Sequence, residues 1–394
     1  MHLTFWQPIP SPHQSGLFEA LASAPWVSSV RLRYESPLSI ERRAQGWEDA
    51  KFVGVDVARI TEGEVPQSGG DQVNIFTGFL THSGVWRAYN QLPTNAPGLR
   101  FAYAEAPELR GFAGWSKRIK YRLAAQRLSK GLDGVLALGK LGTDFYRDLL
   151  GAKVPVFTFG YYDRLAVREK PKAEDLEFES SKTSGVSHQV SGLSSSSPQP
   201  PPMHGKIGVL PPGTRRLLFV GECIWQRGLD QLLVALAAMP PSTPSWVLDV
   251  VGVGTESYVL MQLAERLDLV DRVRFRGVVR GESLAGFYER ANLVVVPSRW
   301  DGWGMAVNEA LFAGVPVAAS DKCGATSVIE NLQRCLVLPA GKTKAWPELL
   351  SEWLEWGPAS ESEQTSLRTA AQKLTGEAGA EELRKTIEQA RQRR

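Results

Sequence analysis

The 394-residue chain has few cysteines, little net charge and no long hydrophobic run. Its three cysteines are odd in number and far apart, which excludes a disulfide scaffold and gives no metal-binding spacing. Because the net charge is only +3, charge alone indicates no nucleic-acid or anionic-membrane partner. No segment reaches the roughly 20 apolar residues of a spanning helix, and the first residues lack a signal-peptide pattern. These absences predict a cytoplasmic protein, soluble or peripheral at the membrane.

A serine-rich segment divides the chain. Nine of the eighteen residues at 180–197 are serine, prolines follow, and no aromatic residue occurs again until Phe219. Such a segment cannot bury enough apolar surface to order itself. We therefore predict a disordered linker or surface insertion at 171–213, between an N-terminal domain at 1–170 and a C-terminal domain at 214–394.

In both domains, short apolar segments alternate with segments whose leucines recur at helical spacing. Continuous apolar strands separated by amphipathic helices predict a parallel sheet covered on both faces, with ligands bound beyond the carboxyl ends of the strands. The predicted fold class is α/β, with two Rossmann-like parallel-sheet domains. The predicted strands are residues 3–6, 30–34, 52–57, 73–76, 101–104, 135–138, 156–159, 217–220, 246–251, 273–275, 293–296, 315–319 and 336–338.

The most informative segment, residues 298–317, follows the predicted strand at 293–296. Gly302 and Gly304 leave room for a ligand to approach the backbone, and a helix is predicted over 306–312. The start of such a helix presents unpaired N–H groups and the positive end of the helix dipole. That arrangement suits a diphosphate.

Two carboxylates, Asp301 and Glu309, lie in this segment with seven residues between them. Glu309 is about five residues inside the predicted helix, roughly 7 Å along its axis. A carboxylate at this offset could accept hydrogen bonds from the hydroxyls of a ligand whose phosphate binds at the helix start. Alternatively, Asp301 only forms a turn and Glu309 is a solvated helix residue. The segment as a whole favours a nucleotide-sugar site.

At these residues the chain resembles the retaining glycosyltransferases of family 4, the bacterial glycosyl transferase group 1 type, which have the GT-B fold. The family pattern is Glu, seven residues and a second Glu, followed by small residues and Gly-x-Pro-Val; Asp301 stands at the first Glu. The resemblance implies two facing domains joined by a flexible linker, with Asp301 binding sugar hydroxyls and Glu309 ribose hydroxyls. In the family the final helices cross back to the first domain.

The resemblance also implies donor-binding residues at the ends of neighbouring strands. In the family, one cation just after the first glycine and another before the second glycine neutralise the leaving diphosphate. Here Arg227 takes the second position, whereas Glu222 replaces the first cation. Arg227 could alternatively pair with a surface acid. The implied donor-contacting residues are Gly221, Gly252, Gly254, Gly302, Gly304, Met305 and Arg299.

Candidate acceptor residues lie in the N-terminal domain. His13, in a glycine-containing loop after the first strand, could hydrogen-bond the acceptor or the donor. Glu105, at the end of another strand, could orient or deprotonate an acceptor hydroxyl. Each could instead cap the following helix. Gly139 also ends a strand on the cleft side. Because an Asp-x-Asp motif is absent, we expect no metal ion and no other cofactor.

These residues favour an enzyme that moves a hexose from a nucleotide-sugar to a glycan or lipid-linked acceptor with retention, in cell-surface polysaccharide biosynthesis. The alternative is a degenerate GT-B protein that binds nucleotide-sugars or partners without turnover. Asp301 and Glu222 favour that alternative, whereas the glycines, Arg227 and Glu309 oppose it. A nucleotide-sugar epimerase has less support, because the N-terminal domain shows no cluster of acids and histidine. Peripheral membrane contact is expected, if anywhere, at the basic end, 391–394.

Overall fold

The computed structural model describes residues 1–44, 47, 49, 51–78, 82–128, 130–163 and 210–394. Within these ranges, two parallel β-sheets flanked by helices confirm the predicted α/β architecture with two Rossmann-like domains. The predicted linker at 171–213 lies outside the described residues, except for its last part, 210–213.

The first sheet has seven parallel strands: β1 (His2–Gln7), β2 (Ser29–Tyr34), β3 (Asp56–Arg59), β4 (Gln72–Thr77), β5 (Leu99–Ala104), β6 (Gly134–Leu138) and β7 (Val156–Phe159). Their order in the sheet is β3-β2-β1-β4-β5-β6-β7. Every residue of β5 and β6 is buried, because helices cover both faces of a parallel sheet. That double burial explains the apolar runs of β6 and of residues 101–104 in β5; the buried Arg100 of β5 donates to the carbonyl of Pro93 at 2.7 Å.

The described residues of this part of the chain also form the helices α1 (Ser15–Ser23), α2 (Ile40–Ala44), α3 (Ser83–Gln91), α4 (Gly111–Leu128) and α5 (Gly139–Leu150). Helix α1 buries one stripe against the sheet, and the rings of Phe18 and Phe5 meet edge to face at 4.7 Å. Aromatic pairs in this geometry add to the stabilisation from area burial alone.

The second sheet has six parallel strands: β8 (Arg215–Val220), β9 (Trp246–Val251), β10 (Val273–Gly277), β11 (Leu293–Val296), β12 (Val317–Ser320) and β13 (Leu336–Leu338). Their order is β10-β9-β8-β11-β12-β13. The helices of the C-terminal half are α6 (Leu229–Ala237), α7 (Ser257–Arg266), α8 (Gly281–Arg290), α9 (Met305–Ala313), α10 (Thr326–Ile329), α11 (Trp346–Glu355), α12 (Glu361–Ala371) and α13 (Gly376–Arg393). Among the helices that the structure describes, none combines the length and apolarity needed to cross a membrane.

Two predicted strands are displaced in the structure. The strand expected at 52–57 begins only at Asp56, because a turn with Gly54 at φ 73° precedes it. The strand expected at 315–319 begins only at Val317. The N–H of Val315 closes the preceding helix by donating to the carbonyl of Ala310 at 2.8 Å. A local hydrogen bond therefore replaces ladder pairing at the start of the second segment.

The last helix, α13, packs against α1 of the N-terminal half, so the end of the chain returns to the first domain. The crossing is held by the backbone of Asp163, at the end of the described N-terminal residues. Its N–H donates to the carbonyl of Leu374 at 3.0 Å, and its carbonyl accepts from the N–H of Gly376 at 3.0 Å. At the far end of α13, Arg394 donates to the carboxylate of Asp133 at 2.8 Å.

We expect Gly376→Ala to lower the free energy of unfolding by about 1–3 kcal/mol, because the added methyl would overpack the contact between α13 and α1. A Cβ at position 376 would lie 2.1 Å from the carbonyl oxygen of Gly16. Gly341→Ala is the matched control, since a Cβ there meets no atom within 4 Å. Urea unfolding of both variants measures the difference. Equal midpoints for the two would contradict this packing.

Candidate functional site

The carboxyl ends of β8, β9 and β11 meet where the strand order reverses direction, because β8 has β9 on one side and β11 on the other. Ligands of open α/β sheets bind at such a switch point. Gly252 has φ 129°, and a Cβ there would lie 1.9 Å from the carbonyl oxygen of Gly221, so only glycine lets these two loops touch. The N–H of Gly254 donates to the Ser257 hydroxyl at 2.9 Å and is used within its own turn.

Arg227 and Asp301 form an ion pair at this edge of the sheet. Arg227 comes from the loop after β8 and Asp301 from the loop after β11. The guanidinium side chain is 33% exposed and the carboxylate side chain 14%, so the cation stays accessible while its partner is mostly covered. Asp301 also accepts a hydrogen bond from the N–H of Trp303 at 3.3 Å, which fixes its orientation.

Gly304 is the N-cap of α9 and has φ 97°. A Cβ there would lie 2.4 Å from the sulfur of Cys323, which is buried directly beneath the turn. Glycine is therefore required both by the backbone conformation and by the close approach. Because glycine has no capping side chain, the first amides of α9, beginning at Met305, face the switch point without a cap from that residue. The turn can thus approach a ligand closely.

Glu309 lies about one turn inside α9, on the side that faces α8. Its carboxylate accepts a hydrogen bond from the hydroxyl of Tyr288, a buried residue of α8. Burial raises the pKa of Tyr288 well above its ordinary value, and the negative charge of Glu309 adds to the rise. The hydroxyl therefore stays protonated and holds the carboxylate as a donor.

Glu105 brings a second carboxylate to the cleft from the N-terminal domain, at the end of β5. One carboxylate oxygen accepts a hydrogen bond from the Tyr161 hydroxyl at 2.9 Å, and the other would lie 2.0 Å from a Cβ at Gly302. Glu105 has an exposed surface, but the protein around its carboxyl group displaces much of the surrounding water. This desolvation raises the pKa of Glu105, and the negative charge of Asp301 raises it further. In the described part of the chain, no group of three or more His, Cys, Asp and Glu side chains could hold a metal ion.

His13 lies beside Trp47, with the ring centroids 4.7 Å apart in an edge-to-face contact. The guanidinium of Arg42 stacks over the same Trp47 ring at 4.5 Å. Burial lowers the pKa of His13 to about 4, and the positive charge of Arg42 contributes to the lowering. Arg42 also acts on the carboxyl of Glu105, so His13, Arg42 and Glu105 share one electrostatic neighbourhood.

Arg299, which is expected among the donor-contacting residues, forms an ion pair with Asp230. Its guanidinium donates to both carboxylate oxygens of Asp230 at 2.6 Å and lies 4.8 Å from the centre of the Trp225 ring. Its backbone carbonyl reaches the other domain, where it accepts from Arg110 at 2.7 Å. The bidentate ion pair and the contact with the Trp225 ring hold the guanidinium of Arg299 in one orientation. Arg299 therefore supports the loop after β11, to which it belongs.

Residues 205–373 match the family model described as Glycosyl transferases group 1. The chain is 35% identical over 135 residues to a D-inositol 3-phosphate glycosyltransferase of Nocardiopsis dassonvillei, covering 32% of this chain and 31% of that protein. It is 28% identical over 145 residues to the lipopolysaccharide core biosynthesis mannosyltransferase LpsB of Rhizobium meliloti, covering 35% and 41%. The chain thus spans about a third of the length of the curated relatives that it matches.

The whole fold is similar to a crystal structure of HepE from Anabaena in complex with UDP. The TM-score is 0.66 at 12% identity, over 99% of this chain and 100% of that one. At this identity the likeness shows the fold alone. The two facing Rossmann-like domains therefore have the GT-B architecture that the sequence predicts.

Three residues that the sequence did not single out join the two domains. Trp303 donates through its indole N–H to the side-chain oxygen of Asn308 at 2.9 Å, and the Asn308 amide donates to the carbonyl of Tyr161 at 2.9 Å. Beside them, a Cβ at Gly139 would lie 2.2 Å from the carbonyl oxygen of Gly324, so the domains touch there too. Only the position of Tyr161, just after a predicted strand, could have signalled its place at the cleft.

We expect the imidazole of His13 to titrate near pH 4, far below its ordinary value of 6.5. Because the folded pKa is lowered, the neutral ring contributes stability above pH 6.5 that is lost as pH falls towards 4. His13→Phe keeps an aromatic ring against Trp47 and should lose less stability over that interval. NMR titration identifies the signal that the variant lacks. A pKa above 6 for it, or parallel stability curves, would contradict the burial of His13.

Proposed function

We propose that this protein is a glycosyltransferase that moves a hexose from a nucleotide-sugar to an acceptor hydroxyl with retention of the anomeric configuration. The observation that carries the proposal is the Arg227–Asp301 ion pair beside the uncapped start of α9, with Glu105 facing it from the other domain. A cation, helix amides without a side-chain cap and a carboxylate at one cleft are the groups that departure of a diphosphate and attack by a hydroxyl require.

The leaving diphosphate would bind between Arg227 and the first amides of α9. As the bond from the anomeric carbon to the phosphate oxygen breaks, negative charge grows on the diphosphate. Fixed donors in a cleft with little water stabilise that charge more than bulk solvent would. Because Glu222 occupies the place of the first cation and Arg299 is paired with Asp230, this role falls to Arg227 together with the helix amides.

The donor hydroxyls would bind to the two carboxylates of the 298–317 segment. Asp301, oriented by Arg227 and by the N–H of Trp303, faces the transferred sugar. Glu309, held by the Tyr288 hydroxyl, would accept hydrogen bonds from the ribose. Each carboxylate has a fixed protein donor, so little reorganisation is needed when a substrate arrives.

The acceptor would enter from the N-terminal side. There Glu105, with its raised pKa, would orient the acceptor hydroxyl and accept its proton. A neutral His13 could accept or donate a hydrogen bond beside it. Retention follows if the acceptor attacks on the face that the diphosphate leaves. A glycan or lipid-linked acceptor in cell-surface polysaccharide biosynthesis suits the lipopolysaccharide relative, and we propose no metal or other cofactor.

Nucleotide-sugar binding should depend on Arg227. We expect one series among UDP-, GDP- and ADP-sugars to raise the melting temperature of the wild type, because a ligand of the folded state stabilises it. Since HepE was solved with UDP, the uridine series is tested first. Arg227→Ala should lose this stabilisation, whereas Arg384→Ala, which removes an exposed ion pair on α13, should keep it. Equal stabilisation in all three proteins would contradict the role of Arg227.

Turnover should depend on Glu309. With the stabilising donor, we expect Glu309→Ala to lower kcat/KM at least about tenfold, or roughly 1.4 kcal/mol of transition-state stabilisation. Tyr288→Phe, which removes only the donor to that carboxylate, should fall between this variant and the wild type. Release of the nucleoside diphosphate, read by mass spectrometry, measures both. Near-normal turnover in Glu309→Ala would contradict the role assigned to Glu309. Donor binding without turnover in the wild type would favour the alternative, a degenerate GT-B protein that binds nucleotide-sugars without reacting them.

A further inference from the structure

Helix α4 has two apolar faces, and in the described part of the chain only one of them is buried. Ala125 is buried and Tyr121 is partly buried, with its ring 5.4 Å from that of Phe145 in an edge-to-face contact. Gly114 is also buried. At about 100° per residue, these three positions share the side of the helix that faces the domain. This side is sufficient to hold α4 on the fold.

The opposite face carries four large apolar side chains that are exposed. Phe112 is 84% exposed, Trp115 59%, Ile119 39% and Leu123 67%. Their spacing of three, four and four residues places them on one line along the helix, which we call the α4 stripe. Phe112 and Trp115 stack on each other, with ring centroids 5.9 Å apart. Single exposed apolar residues are ordinary, but a contiguous stripe of this size marks a docking surface.

The charge on the segment that carries the stripe is all of one sign. Between Glu108 and Asp133 the chain has seven lysines and arginines and no carboxylate, although its net charge overall is only +3. By helical position, Arg118 and Arg122 lie along one edge of the stripe and Lys120 along the other, and all three are exposed. Their long aliphatic stems let the charged groups reach phosphates while the stems lie on apolar surface.

We propose that α4 is a membrane-docking helix that lays the stripe into the headgroup region of an anionic phospholipid surface. An apolar line bordered on both edges by cations matches a plane that is apolar below and negatively charged at its surface. An acidic protein groove would have to supply carboxylates along both edges of one helix. The flat anionic bilayer meets both edges at once, which favours it as the partner.

The position of α4 also relates this surface to the cleft. The helix begins six residues after Glu105, and Arg110, just before it, donates to the backbone carbonyl of Arg299 in the other domain at 2.7 Å. Docking through the stripe would therefore hold the acceptor side of the cleft close to the lipid surface. This step rests on the proposed function: with the cleft at the lipid surface, a lipid-linked acceptor is the substrate that fits. The basic end of the chain is less suited, because Arg394 is already paired with Asp133.

Co-sedimentation with vesicles tests the proposal. The probes are phosphatidylcholine vesicles with and without phosphatidylglycerol, at low and high salt. We expect the wild type to bind the anionic vesicles, more weakly as salt rises, and to bind the neutral ones much less. Replacing the stripe by Phe112→Ser, Trp115→Ser and Leu123→Ser should weaken binding at least about tenfold, since the buried apolar area sets the affinity.

Two further variants control this result. Arg118→Gln with Arg122→Gln leaves the stripe intact and should reduce binding mainly at low salt. Tyr258→Ser with Val259→Ser removes comparably exposed apolar side chains from α7, which are 52% and 54% exposed, and should bind like the wild type. Circular dichroism and the nucleotide-dependent melting shift show that each variant is folded and keeps its cleft. Vesicle binding is therefore read independently of the proposed activity.

Three outcomes would overturn the proposal. They are failure of the wild type to bind anionic vesicles, equal binding by the stripe variant, and equal loss in the α7 control. Analytical ultracentrifugation without lipid adds a fourth. If the wild type is a dimer and the stripe variant is a monomer, a second copy of the chain covers α4 instead.

Discussion

The contact between the loop after β11 and the N-terminal domain governs the rest of the cleft. Asn308 is completely buried, and its side-chain amide is satisfied only because it accepts from Trp303 within its own domain and donates to the carbonyl of Tyr161 in the other. A buried amide without partners is costly, so separating the domains would expose or orphan this group. The same closure places Glu105 against Gly302. This hydrogen-bond chain therefore links the position of the domains to the geometry of the site.

Charge in the cleft is arranged so that each group stabilises another. Arg227 pairs with Asp301, and Glu105 lies close enough for both to affect its pKa. Arg42 also acts on the carboxyl of Glu105, so two guanidinium groups face the two carboxylates and the region is close to neutral. In the proposed reaction, a diphosphate would add negative charge opposite Arg227 and the α9 amides. Its binding and departure would then depend on the guanidinium of Arg227.

Much of the fold could be predicted, because strands buried on both faces are mostly apolar runs. The predicted strands at 246–251 and 293–296 coincide with β9 and β11 for this reason, although β9 includes the buried Asp249. The spacing of Asp301 and Glu309 likewise carried local information, since a strand, a glycine turn and a helix follow one another directly. The strand expected at 52–57 was displaced because β3 lies at the exposed edge of its sheet, where burial imposes little pattern.

The partners of charged and aromatic side chains could not be predicted, because they depend on residues distant in sequence. Nothing near Arg299 in the sequence indicates that it forms an ion pair with Asp230. The contact of His13 with Trp47 likewise joins separate loops. The stripe on α4 was hidden for a different reason. With apolar residues on opposite sides of the helix, periodicity shows no single buried face. Only the structure shows which apolar face of α4 packs against the domain and which is exposed.

The bonds at Asp163 have a mechanical consequence. They tie Asp163 of the N-terminal domain to the segment where the chain returns as α13, so this point acts as a hinge between the domains. A rotation about the hinge keeps its hydrogen bonds, whereas sliding the domains apart would break them. Opening of the cleft should therefore follow one swing, with the largest displacement at the edge farthest from Asp163.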